Sequence, residues 1–201
     1  MTVTSSSLRF ALLISSASGF LDAYTFLVRG GVFANAQTGN VVLMAVNLAR
    51  ENWWQAQAHL WPILAFVAGV AIGTHVKRGR LDSVLPHPIR WTVGFQVLVL
   101  VVIGFVPQSV PPSLVTIPIA FIAALQLELF RTIGNLNYMA IATTGNLARW
   151  VEAAYGRVAR EPGSGPGFRT YTFVISAFAG GAIMGAFASQ ALQERASWIP
   201  A

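Results

Sequence analysis

Cysteine is absent from this chain, and charge is scarce: 13 Lys and Arg, 7 Asp and Glu and 3 His among 201 residues. The first absence excludes disulfides, a thiolate nucleophile and any cysteine-ligated metal. Histidine does not fill the gap. His59 and His75 stand at opposite ends of one apolar segment and His87 lies in a loop, which is no ligand spacing. Each reads better as an interfacial residue. GxSxG, HExxH, P-loop and GxGxxG contexts are also missing. The expectation is a protein that is not an enzyme, with no catalytic residue, no metal site and no cofactor.

The scarcity of charge is more informative still. With 55% hydrophobic residues, 10% charged and a mean hydropathy of +0.61, the chain lies outside the balance of soluble domains. A membrane span must exclude unpaired charge over about 20 residues. No Asp, Glu, Lys or Arg lies between Glu51 and Lys77, between Arg90 and Glu128, or between Arg169 and Glu194, and between Arg9 and Arg29 the only charge is Asp22. The Arg90–Glu128 window is too long for one span, and its Pro107–Ser113 stretch, PQSVPPS, turns it into a hairpin. Helices are expected near Leu8–Val28, Leu60–Val76, Trp91–Val106, Leu114–Phe130 and Tyr171–Leu192, with weaker segments at Phe33–Ala49 and Met139–Val158. Segment lengths and the lack of strict alternation exclude a β-barrel. The fold class is all-α: a polytopic transmembrane bundle of six or seven membrane-embedded segments in one integral membrane domain, 1–201. The net charge of +6 sits in juxtamembrane stretches such as Lys77–Asp82, KRGRLD, where topology and anionic lipid explain it and nucleic acid is not required.

The first segment has a signal-peptide flavour, with Arg9 before FALLI and small residues after it. Against that, it has a partner later in the chain. A shift of 106 positions lays Thr38-Gly39-Asn40 on Thr144-Gly145-Asn146, Ala34 and Ala36 on Ala140 and Ala142, and Leu21-Asp22 on Leu127-Glu128. Six further residues, absorbed in the Glu161–Gly167 loop, align FVAGVAIG (Phe66–Gly73) with FAGGAIMG (Phe178–Gly185). Acid, TGN and GxxxG recur in the same order. A duplicated three-segment unit is therefore expected, 3+1+3, with units at about 8–76 and 114–192 and a linker helix at about 91–106.

Whether the TGN segments cross the membrane decides how the units are related, and basic residues weigh the choices. Seven full crossings, with intrahelical Arg149 set aside, split them five against seven, which is no bias. Two re-entrant TGN segments gather Arg9, Lys77, Arg78, Arg80, Arg90, Arg131, Arg149, Arg157, Arg160 and Arg169 on one side, leaving Arg29, Arg50 and Arg195. A hybrid in which only the first TGN segment crosses gives the same ten against three. Seven plain crossings are thus rejected, and broken or re-entrant helices at the TGN motifs are expected. Gly39 and Gly145 would supply unusual backbone conformations, and Thr and Asn would cap. From Asn40 to Ala49 a helix rises only about 15 Å, half a bilayer. Such a half-helix points free N–H groups and the positive end of its dipole at mid-depth, a way of holding polar or anionic groups away from bulk water. The plainer reading is that TGN caps and kinks a helix packed in the protein interior, its hydroxyl and amide satisfying freed backbone groups.

Asp22 shares a helix face with Ser15, Ser18 and Gly19, a small polar stripe that must face the bundle or a cavity. A carboxyl group there suits proton-coupled transport, or else serves as a structural partner. For Glu128 the structural reading is stronger, because Arg131 lies one turn away. The substrate-binding set is Asp22, Gln37, Thr38, Gly39, Asn40, Glu128, Thr144, Gly145 and Asn146. Gly69/Gly73 and Gly181/Gly185 signal close helix packing, within the chain or between subunits. Trp53, Trp54, Trp61, Trp91 and Trp198 fit interfacial anchoring.

Ser18 to Arg50, SGFLDAYTFLVRGGVFANAQTGNVVLMAVNLAR, resembles the signature of the YoaK-like family of bacterial integral membrane proteins, a domain of unknown function in which a G-x-x-D helix leads to a vF-x-x-x-x-TGN segment. Gly19 and Asp22 match the first part, and Val32, Phe33, Thr38, Gly39 and Asn40 the second. The resemblance implies multipass residence in the bacterial inner membrane and names no substrate. Two functions stand: a small-solute transporter or channel with a mid-membrane site built from the TGN turns and Asp22, or a non-transporting scaffold or assembly subunit in which the same residues lock helices. A lipid-modifying enzyme ranks third. The partners expected are the bilayer, a small polar or anionic solute and a second copy of the chain.

Overall fold

The computed structural model describes residues 7–79, 88–161 and 164–201. Arg80, Asp82 and His87, and Pro162 and Gly163 of the Glu161–Gly167 loop, lie outside the described residues. The chain is all-helical: α1 (Leu8–Val28), α2 (Gln37–Ala49), α3 (Trp53–Lys77), α4 (Pro88–Ile103), α5 (Ser113–Leu129), α6 (Thr144–Val158) and α7 (Ser164–Leu192), followed by a 3-10 turn over Gln193–Trp198. A two-residue hairpin between α5 and α6, Thr132–Ile133 against Leu136–Asn137, is the one extended pairing among the described residues.

Three stretches are long and apolar enough to cross a bilayer: α1, α3 and Ser164–Trp198, while α4 and α5 are shorter apolar helices. α1 has the bounds its charge-free window implied. Ser7 caps it, Oγ accepting the Phe10 N–H at 3.3 Å. α3 begins seven residues before the expected Leu60, because Asn52 caps it through the Gln55 N–H and the polar residues that follow lie within the helix rather than ahead of it. α2 and α6 start later than expected, at Gln37 and Thr144. The residues just before them are not helical.

Glycine contacts set the helix directions. A Cβ on Gly181 would lie 2.0 Å from the Ser16 carbonyl oxygen, and one on Gly185 2.5 Å from that of Phe20. α7 therefore runs parallel to α1 with its backbone pressed against it. Gly69 stands in the same way against the Phe121 carbonyl and Gly73 against Glu128, so α3 runs parallel to α5. α1 and α5 are antiparallel: the Phe10 and Phe130 rings meet at 5.0 Å, while Gly30, just past α1, abuts Pro112, just before α5. Both GxxxG patterns thus pack helices within the chain, each bringing the third segment of one half onto the first segment of the other.

A second lock closes the end of the bundle where α1 finishes. Arg29, only 2% exposed, donates to the carbonyls of Ile103, Val106 and Pro107 and, through Nε and Nη2, to the Tyr24 hydroxyl. These carbonyls belong to the last turn of α4 and the residues just after it, where the helix dipole is negative, so the buried cation is matched by partial charges. Tyr24 in turn donates to the Glu194 carbonyl, tying in the C-terminal turn. The five tryptophans read as anchors all have exposed side chains.

Candidate functional site

The chain breaks twice inside the bundle, in closely similar ways. Residues 33–36 run without helix back along the inside of α1. There the Asn35 N–H donates to Asp22 Oδ1 at 2.8 Å, the Asn35 side chain donates to the Ser18 carbonyl, and the Ala34 N–H donates to Thr25 Oγ1. α2 then starts at the level of Asp22. Asn40 holds the bend by pairing with both polar groups of Phe33, Oδ1 accepting its N–H at 3.0 Å and Nδ2 donating to its carbonyl at 2.8 Å. In the second break Asn146 does the same to Met139, at 2.9 and 2.7 Å. Both asparagines are buried, 0% and 2% exposed.

This replaces the capping chemistry expected of TGN. The cap positions are Ala36 and Thr143, neither with a side-chain cap bond, and each Asn acts as a clamp reaching seven residues back. The glycine serves space rather than backbone freedom, since neither Gly39 nor Gly145 takes a positive φ. A Cβ at Gly39 would lie 2.8 Å from the Phe33 ring, and one at Gly145 2.7 Å from Met139 Sδ.

Between the two breaks lies a cavity of about 780 Å³, within the range of small-molecule sites. Asp22, Asn35, Gln37, Thr38, Thr143 and Thr144 give it polar edges, and Phe26, Phe33, Phe66, Phe178, Met139 and Ile141 are prominent in its apolar wall. Several lining residues pair at the 106-position shift, Phe33 with Met139, Ala36 with Ala142, Thr38 with Thr144, and Phe66 pairs with Phe178 at the wider spacing. Polarity does not follow that pairing: at the same shift Asn35 and Gln37 correspond to Ile141 and Thr143, so the first half supplies more of the polar groups.

Of the residues singled out from sequence, Asp22, Gln37, Thr38 and Thr144 meet at the cavity. Gly39, Asn40, Gly145 and Asn146 lie behind its wall as clamps and close contacts. Glu128 is apart from it, paired with Arg131 and packed on Gly73. His59 is 2% exposed, with Nδ1 3.4 Å from Asn40 Oδ1, behind the first clamp. Asn35, Thr143, Phe66 and Phe178 join the site without having been picked out. Both phenylalanines were visible as the first letter of F-x-x-G-x-x-x-G, a pattern whose glycines drew all attention to packing.

Apolar helices of spanning length, broken twice around a cavity with an interior carboxyl group, define a helical membrane protein. The family model described as "Protein of unknown function (DUF1275)" matches residues 10–201, and the chain belongs to that family. It is similar to the UPF0700 transmembrane protein YoaK of Bacillus subtilis (strain 168), 23% identical over 149 residues, which are 73% of this chain and 66% of that protein. The chain thus spans just under two thirds of that relative's length. No solved structure matches it.

Proposed function

We propose that this protein carries a small solute across the bacterial inner membrane, through a mid-membrane site formed by Asp22 and the first turns of α2 and α6. One observation carries the reading: the cavity touches Asp22, Thr38 and Thr144 together, so both chain breaks open onto the same interior space beside the same carboxyl group. Irregular backbone at membrane depth is tolerated where it is buried in protein or lines such a space. Asp22 lies in the second half of α1, and Phe66 and Phe178 near the middle of α3 and α7, which supports a site well inside the bilayer.

The same reading gives five crossings, α1, α3, α4, α5 and α7, with α2 and α6 as half-helices of about 20 and 23 Å. Each three-segment unit then contains two crossings and one half-helix. The antiparallel run of α1 and α5 supports two inverted copies, with the parallel pairs α1/α7 and α3/α5 exchanged between them, an arrangement in which transporters place the substrate where the copies meet. It also gathers the ten basic residues on the N-terminal side, placing that side in the cytoplasm. No catalytic constellation is proposed.

The alternative, a scaffold in which the same residues only lock helices, is favoured by the two asparagine clamps. Solute flux in proteoliposomes separates the readings. The wild-type chain is expected to move at least one solute of a metabolite panel, and Asp22→Asn to lose that flux while staying folded. Absence of flux from every sample, with Asp22→Asn merely less stable, favours the scaffold.

A further inference from the structure

We propose that the cavity is shaped for a small zwitterion with an apolar body, an amino acid with an aromatic or branched aliphatic side chain. This rests on the reading of the cavity as a solute site. Among the described residues that line it, Asp22 is the one with a formal charge, and none is Lys or Arg. A lone inorganic or organic anion would meet that carboxylate unopposed by any cation.

A lone cation is poorly served as well, because two helices begin at the cavity with their N–H groups unmet. Ala36, capping α2, has no side-chain oxygen. Thr143, capping α6, is one of the lining residues, and its hydroxyl, buried just behind the cavity surface, has no partner among the described residues. The N–H groups of Thr38, Gly39, Thr144 and Gly145 likewise find no acceptor among the described residues. Each helix start carries about +0.5 charge, so the two together balance one carboxylate. The site is near neutral overall yet polarised, negative at Asp22 and positive where α6 begins.

A zwitterion answers both poles. Its ammonium pairs with Asp22, whose carboxylate accepts from the Asn35 N–H and also faces those of Ala34 and Ala36, and whose two oxygens offer about four acceptor positions in all. Its carboxylate accepts from the open N–H groups of the first turn of α6 and, once the Thr143 side chain turns about χ1, from that unpartnered hydroxyl. Its side chain lies against Phe66 and Phe178, on the apolar wall.

Three probes that differ by one group test this by equilibrium binding to the full chain in lipid nanodiscs: L-phenylalanine, phenethylamine without the carboxylate, and 3-phenylpropanoate without the ammonium. L-Phenylalanine is expected to bind at least about 10-fold more tightly than either, a difference of about 1.4 kcal/mol. Asp22→Asn, which keeps an oxygen for the Asn35 N–H, and Thr143→Val, which removes only the hydroxyl, should each weaken it about 10-fold or more. Equal binding of either truncated probe, indifference to both substitutions, or binding of none of the three overturns the proposal. Because the chain has no cysteine, Thr38→Cys reports on the cavity itself. Labelling by an aqueous thiol reagent without amino-acid binding discards the zwitterion and leaves the solute site standing; no labelling discards both.

Discussion

Asn40 and Asn146 show how far a single side chain can set a fold inside a membrane. Each satisfies an N–H and a carbonyl that would otherwise be orphaned at the bend, and each buried group left unmet costs about 1–3 kcal/mol. Asn40→Ala and Asn146→Ala should therefore each lower the thermal unfolding midpoint in detergent by several degrees. Asn40→Asp should do the same, because a carboxylate cannot donate to the Phe33 carbonyl. A midpoint unchanged in all three contradicts the clamp. The adjacent glycines give a finer test. The methyl of Gly39→Ala runs into the Phe33 ring, whereas that of Gly145→Ala meets the flexible end of Met139, so the first should be clearly more destabilising. The sequence marked these positions, because TGN stands out in an apolar chain, and its plainer reading, an amide that satisfies freed backbone groups, is what both asparagines do; the capping part of that reading fails. A bond to the residue seven places back follows no local capping rule and exists only once the chain has turned.

At the scale of the element, the fold is two parallel helix pairs, α1 with α7 and α3 with α5, each brought to backbone contact by glycine. Gly181→Ala places a Cβ against the Ser16 carbonyl, which cannot move without shifting α1. A loss of about 1–3 kcal/mol or more is expected. Gly180→Ala, beside it, has nothing within 4 Å and should be neutral or slightly stabilising. Comparison of the two unfolding midpoints checks the packing, and equal values contradict it. Charge-free windows located the three long apolar helices and the two shorter ones, and α1 to the residue, because exclusion of charge is a one-dimensional property. The partner of each GxxxG was not legible, since any close-packed neighbour satisfies that pattern. Arg29 escaped notice for the same reason: its partners are carbonyls at the end of α4, and backbone acceptors leave no mark in a sequence.

For the whole molecule, the five crossings we propose would put the chain ends on opposite sides of the membrane, with the N-terminus in the cytoplasm. Reporter fusions check this. A fusion active only in the cytoplasm should work at the N-terminus, and one active only outside it at the C-terminus; two ends on one side contradict the arrangement. The counting of basic residues had already rejected seven plain crossings without choosing among the remainder. The antiparallel run of α1 and α5 supports the proposed arrangement, in which the two halves are inverted copies and α2 and α6 are half-helices that meet at the cavity.

The most direct test of that meeting is chemical access. In cells, single substitutions Thr38→Cys and Thr144→Cys are exposed to a water-soluble thiol reagent, with Val67→Cys on the outward face of α3 as the lipid-facing control. Both threonine positions should react while position 67 stays inert. Inert threonine positions, with a folded and correctly inserted chain, would mean that no solute reaches the two turns from water.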